Sequence, residues 1–202
     1  YGLVGSEMCI RDRILGFSQL LLNTDLSQSE RSEYVNIIQN SGNQLLSIIN
    51  DLIDISKIEA NLITLTPTIT NINELLNELL LLFKPQTQEI DISISFSAGL
   101  SNAQSNINVD GNRLRQVLTN LLSNALKFTR QGHIKFGYNL KGQMLEFFVE
   151  DTGVGIHPEK HGLIFERFTQ IDTNFERQVS GTGLGLAISK ALIKKMEGDI
   201  WV

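Results

Sequence analysis

From Arg113 to Phe128 apolar residues fall at Leu114, Val117, Leu118, Leu121, Leu122 and Ala125, three and four apart. That spacing predicts an amphipathic helix with one core-facing stripe. The same periodicity predicts helices from Ala187 to Met196 and from Asn71 to about Phe83. Upstream, residues 14–22 and 27–60 read as a helical pair joined at Asn23-Thr-Asp-Leu-Ser27, with Ser27 and Glu30 at capping-box spacing. Residues 56–61 close the long helix. Strands follow from alternation. Ile90, Ile92, Ile94 and Phe96 mark a half-buried one, and Leu62 to Thr70 another across Pro67. His133 to Asn139 and Met144 to Glu150 read as a hairpin turned at Lys141-Gly142, and Ala98 to Asn108 as a polar loop.

The long helix carries two apolar stripes. Ile38, Ser41, Leu45, Ile48, Leu52 and Ile55 form one; Val35, Gly42, Leu46, Ile49 and Ile53 form the other. A helix apolar over so wide an arc needs more than one neighbour, as in a four-helix bundle built from two hairpins. Patterning alone leaves open whether the second neighbour is another copy or the rest of the same chain.

Candidate chemistry begins on the 113–128 helix. A polar stripe of Arg113, Gln116, Asn120, Asn124 and Lys127 runs beside the apolar one. Asparagine competes for backbone hydrogen bonds and is a poor helix former, so two at i and i+4 beside a lysine point to a task. Asn124 offers a neutral oxygen to a hard cation such as Mg²⁺, and Lys127 can reach phosphate oxygens. The bland alternative is a solvated face. Farther on, Asp151-Thr-Gly-Val-Gly155 follows a predicted strand. Its carboxylate can accept from an exocyclic amine such as adenine's, and Gly153 and Gly155 allow a flat ligand close to the main chain. A tight turn would look the same. Finally Gly181-Thr-Gly-Leu-Gly185 opens the last predicted helix, whose N–H groups favour phosphates. It matches neither the P-loop nor the dinucleotide fingerprint.

Taken in order, these segments resemble the sensor histidine kinases. Asn120-Leu-Leu-Ser-Asn124-Ala-Leu-Lys-Phe-Thr129 looks like their N box and Asp151 to Gly155 their G1 box. Ile164-Phe-Glu-Arg-Phe-Thr-Gln170 looks like the F box, which brings in Phe165 and Phe168, and Gly181 to Leu186 the G2 box. The resemblance covers residues 14–202 and implies an α+β chain: a helical hairpin, half of a dimeric four-helix bundle, then a Bergerat-type α/β sandwich that binds ATP and Mg²⁺. It implies Asp151 and Gly153 at adenine, Asn124 at Mg²⁺, and Thr182, Gly183, Leu184 and Gly185 around the phosphates. The Gln/Asn/Asp/Thr-rich run between Phe168 and Gly181 becomes an ATP lid. A homodimer, a response-regulator receiver domain and phosphoryl transfer to a histidine are implied likewise. Related ATPases place a glutamate where this chain has Asn120, and an amide cannot take a proton from water, which favours transfer over hydrolysis. A nucleotide-binding dimer module without transfer is the alternative.

Composition narrows this further. The 202 residues, 42% hydrophobic, suffice for one or two small cores, and a net charge of −5 carries no nucleic-acid footprint. One cysteine fits a reducing, cytoplasmic compartment, and the longest apolar run, Leu79 to Phe83, is far too short to span a bilayer. The resemblance permits a membrane-spanning portion elsewhere. Residues 1–13 match nothing in the family: its His-Glu-x-x-Thr/Asn-Pro motif would put the acceptor histidine at Gly5 and the proline at Ile10. They are expected to be an anomalous segment, either foreign sequence or a divergent start, with 14–60 the hairpin and 61–202 an ATP domain cut short at its last strands. His133, His157 and His161 lack the family's acceptor context, and Cys9 has no positioned base.

Overall fold

The computed structural model describes residues 2–169 and 182–202, with side chains from Ile10 onward. The lid segment and Gly181 therefore lie outside the described residues. The chain divides into two compact units, Tyr1–Leu62 with Asp172–Leu184, and Ile63–Ile171 with Gly185–Val202.

In the first unit α1 (Gly2–Leu20) and α2 (Gln28–Glu59) form the predicted hairpin. The capping box is present in full: the Glu30 amide donates to Ser27 Oγ at 3.2 Å, and the Ser27 amide donates to the Glu30 carboxylate at 2.9 Å. At the other end Asn61 takes φ 53°, and the Leu62 amide closes back on Lys57 at 2.8 Å, which stops the helix. Phe17 of α1 packs on Tyr34 of α2 with ring centroids 5.2 Å apart. One helix runs without a break from Gly2 into Ile14–Leu20, and Ile10 is fully buried. Of the two stripes on α2, the first is turned inward through Ser41, Ile48 and Ile55, although Leu52 is exposed. The second stripe, Val35, Leu46, Ile49 and Ile53, is left open, Leu46 at 59% and Ile53 at 45% exposure.

The second unit is a sheet covered by helices. β2 (Ile92–Ser97) runs parallel to β4 (Gly132–Lys141), which pairs antiparallel with β5 (Met144–Asp151), in the order β2-β4-β5. Alternate β4 residues Ile134, Phe136 and Tyr138 are fully buried against Leu75, Leu76 and Leu79 of α3 (Ile72–Gln88) and Leu114, Leu118 and Leu122 of α4 (Gly111–Phe128). A fully buried side chain of this kind contributes about 1.5–3 kcal/mol, so this interface holds the unit together. β1 (Thr68–Asn71) and β3 (Asn106–Val109) form a separate antiparallel pair, and α5 (Gly185–Lys195) packs on α4 through buried Ile188 and Leu192.

Several boundaries differ from the sequence reading; the strand expected from Ile90, for one, begins at Ile92. The strand expected from Leu62 begins only at Thr68, because Pro67 has no N–H to give a ladder. β3 occupies the end of the expected polar loop, held by its pairing with β1. α3 runs past Phe83 through Pro85 to Gln88, with the buried Thr87 hydroxyl donating to the Lys84 carbonyl at 3.0 Å. The hairpin pairs Lys141 with Met144, so its turn is Gly142-Gln143, with Gly142 at φ 63°.

Candidate functional site

α4 is anchored first at its N-terminus. The Asp110 carboxylate caps it by accepting from the Arg113 amide at 3.1 Å, and also accepts from the Thr66 amide at 2.9 Å. Burial opposes its ionisation, but the hydrogen bonds from Thr66 and Arg113 and the Arg113 charge outweigh that and hold its carboxyl below the ordinary value. A helix fixed in this way carries Asn120, Asn124 and Lys127 in rigid register along one side, all half-buried.

The middle of that side meets the start of α5. Asn120 Nδ2 donates to Ser189 Oγ at 3.2 Å, and a Cβ at Gly185 would fall within 2.6 Å of the same Nδ2. A side chain at Gly185 would therefore have to displace the Asn120 amide. The far end of α4 meets the Asp151 segment. A Cβ at Gly153 would stand 2.5 Å from the Phe128 carbonyl oxygen and 2.7 Å from Asp151 Oδ1. Asp151 Oδ1 accepts from the Gly153 amide at 2.8 Å and from the Thr129 hydroxyl at 3.4 Å. Gly155 stands at φ 67° with open space around it. Asn124 and Lys127 lie on α4 between these two junctions.

Of the remaining predicted residues, Phe165 is half-buried with Lys190 Nζ 5.4 Å from its ring centroid, which ties the F-box segment to α5. Phe168 is exposed in the left-handed region at φ 59°. Thr182, Gly183 and Leu184 group with the first unit. There the Thr182 hydroxyl donates to Asp51 at 3.1 Å and accepts from the Leu184 amide at 3.2 Å; Gly183 takes φ 68°. Burial raises the Asp51 carboxyl above its ordinary value, the Thr182 hydrogen bond opposes that, and the charge of Asp54 adds to it. Two contributors escaped the sequence reading, Thr129 and Ser189. A threonine closing an Asn-rich helix and a serine one turn into the next are ordinary in sequence, and only packing shows their partners.

The residues present fit a magnesium ion held largely by ligands other than protein. Among the described residues no group of three or more His, Cys, Asp or Glu could cage a metal, while Asn124, half-buried on α4, carries a neutral amide oxygen. Mg²⁺ keeps its waters and takes phosphate oxygens, so one such protein ligand suffices.

A helical hairpin followed by a sheet-and-helix unit with this arrangement is the architecture of a histidine kinase catalytic region, and comparison with known proteins agrees. The family model described as histidine kinase-, DNA gyrase B- and HSP90-like ATPase matches residues 109–202, and that of the His Kinase A phospho-acceptor domain matches 13–61. The chain is 39% identical over 94% of its length to the sensor protein GacS of Pseudomonas syringae pv. syringae. It is 34% identical over 93% to the signal transduction histidine-protein kinase BarA of Escherichia coli K12. It spans 21% of the length of each. Among solved structures, full-length ShkA in complex with AMPPNP is similar with TM-score 0.74 and 33% identity, covering 94% of this chain and 39% of that one. The catalytic domain of histidine kinase ThkA has TM-score 0.58 and 30% identity, covering 67% of this chain and 87% of that one. The chain belongs to the sensor histidine kinase family.

Proposed function

We propose that this chain binds Mg-ATP and transfers the γ-phosphoryl group to a histidine on a helical hairpin, from which an aspartate of a response-regulator receiver domain takes it. The observation that carries the proposal is the position of α4. It touches Gly185 through Asn120 and Gly153 through Phe128, so Asn124 and Lys127 lie between a base-reading segment and a helix N-terminus.

In this reading the Asp151 carboxylate accepts from the adenine amine while Gly153 and Gly155 leave room for the ring. Phe165 and Phe168 flank the nucleotide. Lys127 neutralises phosphate charge, and the Thr182–Gly185 turn holds phosphate oxygens through main-chain N–H groups other than that of Leu184, which donates to the Thr182 hydroxyl. Asn124 holds Mg²⁺, which supplies charge neutralisation at the phosphates. An acceptor imidazole nitrogen forms a bond to the γ-phosphorus as the bridging oxygen departs with ADP. The chain's contribution is positioning and electrostatics. Asn120 offers no base to activate water, and its amide is already engaged by Ser189, in keeping with transfer over hydrolysis.

Residues 1–61 contain no histidine. Transfer by this chain therefore goes to a hairpin supplied in trans. The complex of histidine kinase ThkA with response regulator protein TrrA, 26% identical with TM-score 0.71, supports a receiver-domain partner. The open stripe of Val35, Leu46, Ile49 and Ile53 supports a homodimer in which a second hairpin completes a four-helix bundle. No described helix is long and apolar enough to cross a membrane. The test is incubation with γ-labelled ATP and Mg²⁺ beside a separate hairpin that carries the His-Glu motif. Acid-labile label should appear on that hairpin and vanish with Asn124→Ala. Nucleotide binding without any label on the hairpin would instead establish the non-catalytic module.

A further inference from the structure

Thr129 lies just past α4 with extended backbone, its amide donating to the Ala125 carbonyl at 3.0 Å. At 3% exposure its hydroxyl is buried, yet it reaches the carboxylate of a residue 22 positions on in the chain. A buried hydroxyl needs a partner, and this one faces Asp151 Oδ1 at 3.4 Å. The Gly153 amide donates to the same oxygen at 2.8 Å. Gly153 is itself held against the Phe128 carbonyl, the residue before Thr129. The Thr129 hydroxyl at the helix end and the Gly153 amide of the same loop thus both address the Asp151 carboxylate. Both donors converge on Oδ1, and among the described residues none donates to Oδ2, which leaves it for a donor from outside.

We infer that Thr129 is a positioning residue that sets the Asp151 carboxylate for the 6-amino group of the purine, and so makes the site prefer adenine to purines without that amine. The inference rests on the reading of Asp151 as the base acceptor. An exposed carboxylate free to turn about its Cβ–Cγ bond must be ordered when ligand arrives, and one pre-set by its neighbours need not be. The hydroxyl acts through Asp151 and touches no ligand. Its effect therefore belongs to the amine alone: a purine that presents no donor at position 6 gains nothing from it.

The test is calorimetric titration of the whole chain with a non-hydrolysable ATP analogue and with the matching triphosphate of purine riboside, which lacks the 6-amine. Wild type, Thr129→Val, Thr129→Ser and Asp151→Ala are compared. The wild type should prefer the adenine compound. Thr129→Val should bind it roughly three- to tenfold more weakly, the worth of one hydrogen bond, while its affinity for the purine riboside compound stays put. Thr129→Ser, which keeps the hydroxyl, should restore the preference. If Thr129→Val does not fold, Thr129→Ala serves the same comparison. The inference is overturned if the hydroxyl-free variant keeps the wild-type preference, or weakens both ligands alike. If Asp151→Ala also keeps the preference, the Asp151 reading has failed too; if Asp151→Ala loses it, the failure belongs to Thr129 alone.

Discussion

Gly185 and Asn120 stand so close that a single methyl group between them would displace the Asn120 amide from Ser189. The glycine that opens α5 is thus a packing residue as well as a candidate phosphate contact. Gly185→Ala should destabilise the second unit by about 1–3 kcal/mol through overpacking. Ser189→Ala, which only removes the hydroxyl, should cost about 1 kcal/mol. Urea denaturation of both, with an Asn120→Ala/Ser189→Ala double-mutant cycle, checks this. The two side-chain truncations should be non-additive by about 0.5–1.5 kcal/mol, because they remove one shared hydrogen bond.

The glycines of the Asp151 segment should separate into two kinds. At Gly153 a Cβ meets the Phe128 backbone, which cannot swing aside. Gly153→Ala should therefore abolish nucleotide binding and cost about 1–3 kcal/mol. At Gly155 space is open but φ is 67°, so Gly155→Ala should cost about 1–2 kcal/mol in backbone strain with nucleotide binding weakened less. Thermal melts with paired titrations distinguish them.

Asp110 should make stability depend on acid. Its folded carboxyl is held below the ordinary value of about 3.9, so the unfolded chain binds the proton first as pH falls. The contribution is fully present above that ordinary value and is lost as pH drops through the folded one. Asp110→Ala should remove about 1 kcal/mol at neutral pH, the worth of an N-cap. The gap between wild type and variant should shrink below about pH 4 in acid-denaturation curves.

The exposed stripe on α2 should govern association. Ile49→Asp with Ile53→Asp places charge on the open face without touching buried Ile48 or Ile55. Sedimentation should show the dimer dissociation constant raised by about a hundredfold or more, roughly 2.7 kcal/mol, with helicity retained. A wild-type chain that sediments as a monomer at all concentrations would remove the dimer from the account.

How far the sequence reaches can be judged from particular residues. Periodicity marked α2, α4 and α5 because their buried residues recur at helical spacing, and it separated the two stripes of α2 before any contact was known. It missed β3, where Ile107 and Val109 are too few to show alternation beside Asn106 and Asn108, and where pairing with β1 decides. It ended α3 at Phe83 because Pro85 and the polar residues after it look like a stop, whereas the helix continues to Gln88 with Thr87 buried. Residues 1–13 looked foreign by motif, yet motif and helix formation are separate matters, and the backbone there continues α1. The candidate site was marked in the sequence by three glycine- and asparagine-bearing segments and the Phe165–Phe168 segment, in order. Its internal ties, Thr129 to Asp151 and Asn120 to Ser189, join residues 22 and 69 apart in the chain and leave no local trace.

The most direct test is titration of the folded chain with a non-hydrolysable ATP analogue, with and without Mg²⁺, beside Asn124→Ala and Asp151→Ala. Binding should be strengthened by Mg²⁺ in the wild type, lose that dependence in Asn124→Ala, and fall away in Asp151→Ala. A folded wild-type chain that binds no nucleotide, or binds it equally in all three proteins, would contradict the assignment of α4 and its two glycine neighbours as the Mg-ATP site.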